Sequence, residues 1–233
     1  AVGRDSLPEI MRKLGAEVVE EGRSDVFVPI DTENVTKEDE VYFVSLAQKH
    51  PDAFAVVSTD GDSDRPFVID SNGTFYRGDI LGAVVADWLE ADFCAYPIST
   101  SDAVDTLLSN KSVNFEHTKI GSPYVIEAMQ QSLEEGSKTV VGWEVNGGFL
   151  LGCDIEKEGR SIKKLPTRDA LFPMLVALVA AKDSSIAELF TALPQRFTQA
   201  GLIDDFPQDI SKKILDAFAA GDTKQIGLYF SAV

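Results

Sequence analysis

The sequence has little cysteine, little histidine and no long apolar segment. Its 233 residues include only two cysteines, Cys94 and Cys153, and their spacing fits neither a metal site nor a redox motif. The longest apolar run, residues 171–181, is interrupted by Pro173 and is too short to cross a bilayer. We therefore expect reduced thiols, no membrane segment and a cytoplasmic location.

Basic residues are also scarce. Aspartate and glutamate number 38 against 21 lysines and arginines, so the formal net charge is -17. Non-specific binding to nucleic acid requires a basic surface that displaces counterions from phosphates. The sequence therefore excludes nucleic acid as a partner, and most of the acidic side chains are expected on the solvated surface.

Short apolar runs alternate with segments of helical periodicity along most of the chain. Helices are predicted over residues 6–14, 36–50, 79–89 and 168–182, and strands over residues 54–58, 67–70, 93–97, 113–116 and 139–143. This alternation predicts the α/β class, with two tandem domains of mixed, mainly parallel sheets and a partial C-terminal segment.

The first polar loop reads D-G-D-S-D-R at residues 60–65, directly after a predicted strand. Its three carboxylates, at alternate positions, can converge on one hard cation such as Mg²⁺, and Gly61 permits the tight curl that this requires. An EF-hand has a similar start but needs glycine at the sixth position and glutamate at the twelfth, where this chain has Arg65 and Ser71. We call residues 60–65 the metal loop; a solvated acidic turn is the alternative.

Arg65, at the end of the metal loop, presents forked donors that suit a phosphate or a phosphosugar. Its other possible role is to offset the charge of the three neighbouring acids.

The second polar loop reads E-V-N-G-G at residues 144–148 and follows Trp143. A carboxylate and an amide followed by paired glycines fit a tight loop that binds neighbouring hydroxyls, because glutamate accepts hydrogen bonds and asparagine both donates and accepts them. A glycine hairpin without a ligand is the alternative. We call residues 144–148 the sugar loop.

Together the two loops resemble those of the α-D-phosphohexomutase family, the phosphomannomutases and phosphoglucomutases. Residues 60–65 resemble the family's D-G-D-x-D-R metal loop, and residues 143–148 resemble its G-E-x-S-G sugar loop. The K-I-G-S segment at residues 119–122 resembles the part that helps to hold the substrate phosphate and sugar. The resemblance covers the family's second and third domains and the start of the fourth.

The resemblance implies a Mg²⁺-dependent mutase that interconverts 6-phospho and 1-phospho hexoses through a phosphoserine and a bisphosphorylated sugar. Asp60, Asp62 and Asp64 would hold Mg²⁺. The residues that would bind the hexose phosphate are Arg65, Lys119, Ser122, Glu144, Asn146 and Gly147. Mannose phosphate is favoured over glucose phosphate.

Three positions depart from the family pattern. Asn146 replaces the usual serine of the sugar loop, Trp143 replaces a glycine, and Ser122 stands where some relatives carry a basic or histidine side chain. Trp143 can pack either against the sugar or against the core. Because Ser122 stands in place of that basic or histidine side chain, Lys119 is favoured as the phosphate contact.

The resemblance also predicts the domain boundaries. Residues 1–76 form a metal-loop domain that lacks its first strand, residues 77–184 form a sugar-loop domain, and residues 185–233 are a linker and the start of a further domain, with a strand beginning at residues 228–233. The family's T-A-S-H-N-P serine loop and R-x-S-G-T phosphate loop have no counterpart here. We therefore expect no catalytic nucleophile in this chain, which should be inactive without the remaining domains of its polypeptide.

Two other functions fit part of this pattern. The first is a phosphatase or nucleotidyl-transfer domain with a D-x-D metal pair, and a phosphatase would release inorganic phosphate. Such enzymes use an aspartate nucleophile or bind a nucleotide, and the sequence has no Gly-rich phosphate cradle of that kind. A non-catalytic module that binds a cation or a sugar is the other alternative.

Overall fold

The computed structural model describes residues 2–26, 28, 30–198, 200, 201, 203 and 205–218. The chain divides into two compact units, Ala1–Ala200 and Gly201–Val233. The strand predicted at residues 228–233 lies outside the described residues. The predicted domain boundaries after residues 76 and 184 stay predictions.

Eight α-helices are described, after a short 3-10 helix at Val2–Arg4. They are α1 (Ser6–Lys13), α2 (Lys37–Lys49), α3 (Gly78–Trp88), α4 (Asp102–Asn110), α5 (Ser122–Glu134), α6 (Leu171–Ala180), α7 (Ile186–Leu189) and α8 (Gln208–Phe218). In the described ranges, no helix has the length and apolar character needed to cross a membrane.

Ten strands accompany the helices. They are β1 (Ala55–Thr59), β2 (Pro66–Asp70), β3 (Phe75–Tyr76), β4 (Phe93–Pro97), β5 (Asn114–Thr118), β6 (Val140–Trp143), β7 (Phe149–Leu151), β8 (Ile155–Lys157), β9 (Arg160–Ile162) and β10 (Leu165–Asp169). The β8–β9 pair forms a separate hairpin.

The first sheet has the order β1-β2-β3 and is antiparallel throughout. Thr59 at the end of β1 pairs with Pro66 at the start of β2, so the metal loop is the hairpin connection between these strands. Sequence analysis placed a buried parallel strand at residues 54–58. The strand exists, but it is antiparallel and mostly half-buried, because its neighbour in sequence is also its neighbour in the sheet.

The second sheet has the order β10-β7-β6-β4-β5. Strands β6, β4 and β5 are parallel, whereas β7 and β10 are antiparallel to their neighbours. The predicted α/β class with mixed sheets is confirmed. Parallel pairing is less extensive than predicted, because the sugar loop turns the chain directly from β6 back into β7.

The core lies on both faces of the second sheet. Helices α3, α4 and α6 contribute buried residues to a cluster with Tyr96, Trp143 and Phe149, while α5 packs on the other face against Ala95 and Leu150. Helices on both faces of a largely buried sheet are the layer arrangement expected for an α/β domain.

The helix predicted over residues 168–182 is shorter than expected. Helix α6 begins at Leu171, and Arg168 belongs instead to strand β10. The side chain of Asp169 accepts a hydrogen bond from the backbone N–H of Leu171 at 2.9 Å, which marks the start of the helix. Arg168 therefore lies on a strand beside β7, next to the sugar loop.

Candidate functional site

The metal loop brings its three aspartates together. Each of Asp60, Asp62 and Asp64 offers one carboxylate oxygen, and these three oxygens lie within 4.8 Å of one another. Asp60 is buried, Asp64 is half-buried and Asp62 is exposed. The buried Oδ1 of Asp60 accepts hydrogen bonds from the backbone N–H groups of Ser63 at 3.1 Å and Arg65 at 3.2 Å, so the loop curls around this carboxylate.

Ser63 secures the loop from the opposite side. Its φ of 69° lies in the left-handed region, which costs about 1–2 kcal/mol for a residue with a side chain. Its hydroxyl accepts hydrogen bonds from the backbone N–H of Gly3 at 2.7 Å and from the hydroxyl of Thr59 at 3.1 Å. The N-terminal segment therefore rests on the metal loop, a contact between distant residues that the sequence pattern did not reveal.

The donor set of the metal loop fits a hard divalent cation. Oδ1 of Asp64 is buried and makes no hydrogen bond to any of the described residues. Burial raises the pKa of Asp60, and a hydrogen bond with Asp62 raises it further, while the same hydrogen bond lowers the pKa of Asp62. Crowded carboxylates and an unpartnered oxygen are what a cation that prefers oxygen ligands would satisfy.

Arg65 stands beside these carboxylates without binding them tightly. Its Nε lies 3.6 Å from Oδ2 of Asp60 and 3.7 Å from Oδ1 of Asp64. Both distances exceed hydrogen-bond range, and Nε is buried without a hydrogen-bond partner. The arginine therefore offsets the acidic charge without a hydrogen bond to either carboxylate.

The sugar loop is a buried tight turn between β6 and β7. The backbone N–H of Gly147, where φ is 91°, donates to the carbonyl of Glu144 at 2.9 Å. The N–H of Gly148 donates to the side-chain oxygen of Asn146 at 3.0 Å. Glu144 and Asn146 are only 7% and 6% exposed, although polar side chains are rarely buried without a reason in packing or function.

The sugar loop lies close to the end of the metal loop. A β-carbon on Gly147 would lie 2.8 Å from Cγ of Pro66, the residue that follows the metal loop. Residues 60–65 and 144–148 thus form one polar region, although they connect strands of different sheets.

Arg168 spans this polar region. One of its terminal nitrogens lies 2.5 Å from Oδ2 of Asp64, and the other lies 3.3 Å from Oε2 of Glu144. Its aliphatic stem crosses Gly148, where a β-carbon would lie 2.8 Å from Cδ of Arg168. The sequence pattern did not identify this residue, because its place beside the sugar loop follows from the pairing of Asp169 with Phe149.

In the part of the chain that the structure describes, Lys119 and Ser122 do not bond to the metal loop or the sugar loop. Lys119 is exposed, and its ammonium lies 5.4 Å from the centre of the Tyr124 ring. Ser122 is half-buried at the start of α5, and the residue in the cap position is Gly121. Among the described residues, neither side chain makes a hydrogen bond or an ion pair to residues 60–65 or 144–148.

Trp143 packs into the core. It is fully buried, and its ring stacks on Tyr96 at 5.0 Å and on Phe149 at 6.0 Å between centroids. A β-carbon on Gly82 of α3 would lie 2.4 Å from the indole, so helix and ring are in close contact. Of the two roles considered for this tryptophan, the structure selects packing against the core.

Comparison with known proteins agrees with this arrangement. Residues 77–197 match the family model described as phosphoglucomutase/phosphomannomutase, alpha/beta/alpha domain III. The chain is 42% identical over 216 residues to a phosphomannomutase of Salmonella muenchen, covering 93% of this chain and 44% of that protein. It is 36% identical over 236 residues to a phosphomannomutase of Sinorhizobium fredii, covering 100% of this chain and 48% of that protein.

Solved structures show the same fold. A phosphoglucomutase/phosphomannomutase family protein of Burkholderia thailandensis superposes with a TM-score of 0.65 at 18% identity, covering 84% of this chain and 41% of that one. The chain therefore belongs to the phosphoglucomutase/phosphomannomutase family. It spans less than half the length of the two phosphomannomutases that it matches.

Proposed function

We propose that this chain supplies the metal-binding and sugar-binding loops of a Mg²⁺-dependent hexose-phosphate mutase that prefers mannose phosphates to glucose phosphates. The observation that carries the proposal is the link between the two loops: Asp64 of the metal loop and the buried Glu144 of the sugar loop share the guanidinium of Arg168. The identity to two phosphomannomutases supports the choice of mannose.

Each loop has a distinct task in this proposal. Asp60, Asp62 and Asp64 hold Mg²⁺, which when bound neutralises negative charge on the transferring phosphoryl group. Arg65 binds phosphate oxygens with its guanidinium, whose Nε is not held by a hydrogen bond to Asp60 or Asp64. The sugar loop fixes the hydroxyls of the hexose.

Three residues complete the substrate contacts. The turn at Gly147 presents Asn146 beside Glu144 for these hydroxyls. Lys119 follows β5 and Ser122 opens α5, at the same carboxyl-end edge of the parallel strands from which the sugar loop emerges, where ligands of such sheets gather. Their role is to hold the substrate phosphate when it lies across this edge.

The phosphoserine that exchanges the phosphoryl group and the principal phosphate-binding loop lie, in this proposal, in domains beyond these 233 residues. The metal-loop and sugar-loop domains are residues 1–76 and 77–184, and residues 185–233 lead into a further domain. The purified chain is then expected to bind a hexose phosphate without isomerising it, and the whole enzyme is expected in the cytoplasm.

Calorimetric titration of mannose 6-phosphate in the presence of Mg²⁺ tests this function. Glu144→Gln should weaken binding roughly tenfold, because the carboxylate accepts hydrogen bonds from sugar hydroxyls, and charge-assisted bonds contribute about 1.5–3 kcal/mol. Glu156→Gln, an exposed change on β8, is the matched control. Equal affinity of the two variants would contradict the sugar loop's role.

Two further measurements separate the alternatives. Release of inorganic phosphate from mannose 6-phosphate would favour a D-x-D phosphatase. Binding of Mg²⁺ without any binding of mannose 6-phosphate or glucose 6-phosphate would favour a non-catalytic cation-binding module.

A further inference from the structure

Arg168 is shared between two loops that serve different ligands in the proposed function. One terminal nitrogen of its guanidinium contacts Asp64 of the metal loop, and the other contacts Glu144 of the sugar loop. A planar fork with several donors can engage two carboxylates at once, which an ammonium group does less well.

The surroundings of Arg168 strengthen these pairs. The side chain is 30% exposed, that of Asp64 is 23% exposed and that of Glu144 is 9% exposed. Charges withdrawn from water to this degree are screened less than surface ion pairs. The stem is confined against Gly148, so the guanidinium cannot leave the two loops without losing this packing.

The contact with Asp64 places Arg168 in competition with a cation. Oδ2 of Asp64 is engaged by the arginine, while Oδ1 has no partner. A divalent cation drawn to this carboxylate repels the guanidinium, and the remaining acceptor of Arg168 is then Glu144.

We propose that Arg168 is a positioning residue that couples the metal loop to the sugar loop. The inference rests on the proposed function, because it takes Mg²⁺ as the ligand of the metal loop. Occupation of Asp64 by the cation shifts Arg168 toward Glu144, and loss of the Glu144 charge shifts Arg168 toward Asp64. By linkage, the coupling acts equally in both directions.

Glu144 lies outside the metal loop, yet the coupling predicts that a change at Glu144 alters the affinity for Mg²⁺. Glu144→Gln should weaken Mg²⁺ binding by roughly fivefold, since Arg168 then pairs with Asp64 alone. Arg168→Gln should strengthen Mg²⁺ binding by roughly fivefold, since the guanidinium that competes with Mg²⁺ for Asp64 is removed. In the Arg168→Gln background, Glu144→Gln should change the Mg²⁺ affinity little, because the arginine that links Glu144 to Asp64 is absent.

The test is a calorimetric Mg²⁺ titration of the full chain, its two single variants and the double variant. Arg160→Gln, an exposed change on β9, alters the net charge equally and serves as the control for long-range electrostatics. Arg168→Lys keeps the charge but loses the fork, so the effect of Glu144→Gln should shrink in that background. Circular dichroism and urea unfolding verify that each variant is folded.

The outcomes separate the two claims. An equal effect of Glu144→Gln with and without Arg168 would mean direct electrostatics and would overturn the coupling alone. Unchanged Mg²⁺ affinity in Arg168→Gln would also overturn it, while the metal site would stand. Absence of Mg²⁺ binding in every variant would overturn the proposed metal site and the coupling with it.

Discussion

Gly78 lies so close to the sugar loop that a β-carbon on it would stand 2.1 Å from the backbone nitrogen of Gly147. Gly78 is the first residue of α3, and Gly147 is the left-handed residue of the turn. The N-terminus of a core helix thereby sets the position of the sugar loop.

Gly78→Ala should therefore destabilise the fold by about 1–3 kcal/mol, because the added methyl group has no room and the sugar loop must move away. Urea unfolding measures the change. Gly201→Ala is the matched control, since a β-carbon there meets no atom of the described residues within 4 Å. Equal free energies of unfolding for both variants would show that the contact is not tight.

Asp79, the next residue, anchors the start of α3. It is fully buried and accepts hydrogen bonds from the backbone N–H of Ser101 at 3.1 Å and from Nε of Arg77 at 3.3 Å. Asp79→Ala removes the acceptor of the buried N–H of Ser101 and of the half-buried guanidinium of Arg77, so a loss of about 3 kcal/mol in the free energy of unfolding is expected.

The control for Asp79 is Asp87 on the same helix. Asp87 pairs with Lys111 at 2.6 Å, but the pair is about 40% exposed. Asp87→Ala should cost less than about 1 kcal/mol, as for other surface ion pairs. A similar loss for both variants, measured by urea unfolding, would refute the anchoring role of Asp79.

Two tyrosines that donate hydrogen bonds to carboxylates predict how stability depends on alkaline pH. Tyr76 donates a hydrogen bond to Asp70 at 3.0 Å, and Tyr96 donates one to Asp105 at 2.9 Å. Burial raises the pKa of both phenols, and the hydrogen bond to the carboxylate raises the pKa further. The contribution of each phenol to stability is complete below about pH 10, where an unfolded tyrosine ionises, and is lost as the pH rises above it.

Absorbance at 295 nm and circular dichroism, followed together from pH 8 upward, check this expectation. Of the five tyrosines in the sequence, two should ionise only as the fold is lost. Replacing Tyr76 and Tyr96 by phenylalanine should flatten the fall of the unfolding free energy above about pH 10. Ionisation of every tyrosine near its ordinary pKa in a chain that stays folded would be inconsistent with this account.

Features set by local sequence were predicted well. The helix over residues 36–50 corresponds to α2, where Thr36 and Asp39 form a capping box, and the strand at Phe93–Pro97 has the predicted bounds. The aspartates at alternate positions do meet, because the turn that unites them is formed within six residues.

Features that depend on which strands pair, and in which direction, were not predicted. Neighbouring strands can pair in either direction, so the hairpin joining β1 and β2 was mistaken for part of a parallel sheet. Arg168 was assigned to a helix because the apolar residues after it have helical periodicity. Its place beside Asp64 depends on the pairing of β10 with β7, for which the sequence carries no local signal.

The most direct test of the central claim is calorimetric titration of Mg²⁺ into the chain and into a variant in which Asp60, Asp62 and Asp64 are all changed to asparagine. The account predicts one Mg²⁺ site in the unchanged chain and none in the variant, because the three carboxylate oxygens that lie within 4.8 Å of one another supply the site. Equal heats from the two proteins, with or without added phosphate as a surrogate ligand, would show that residues 60–65 are an acidic turn and not a metal site.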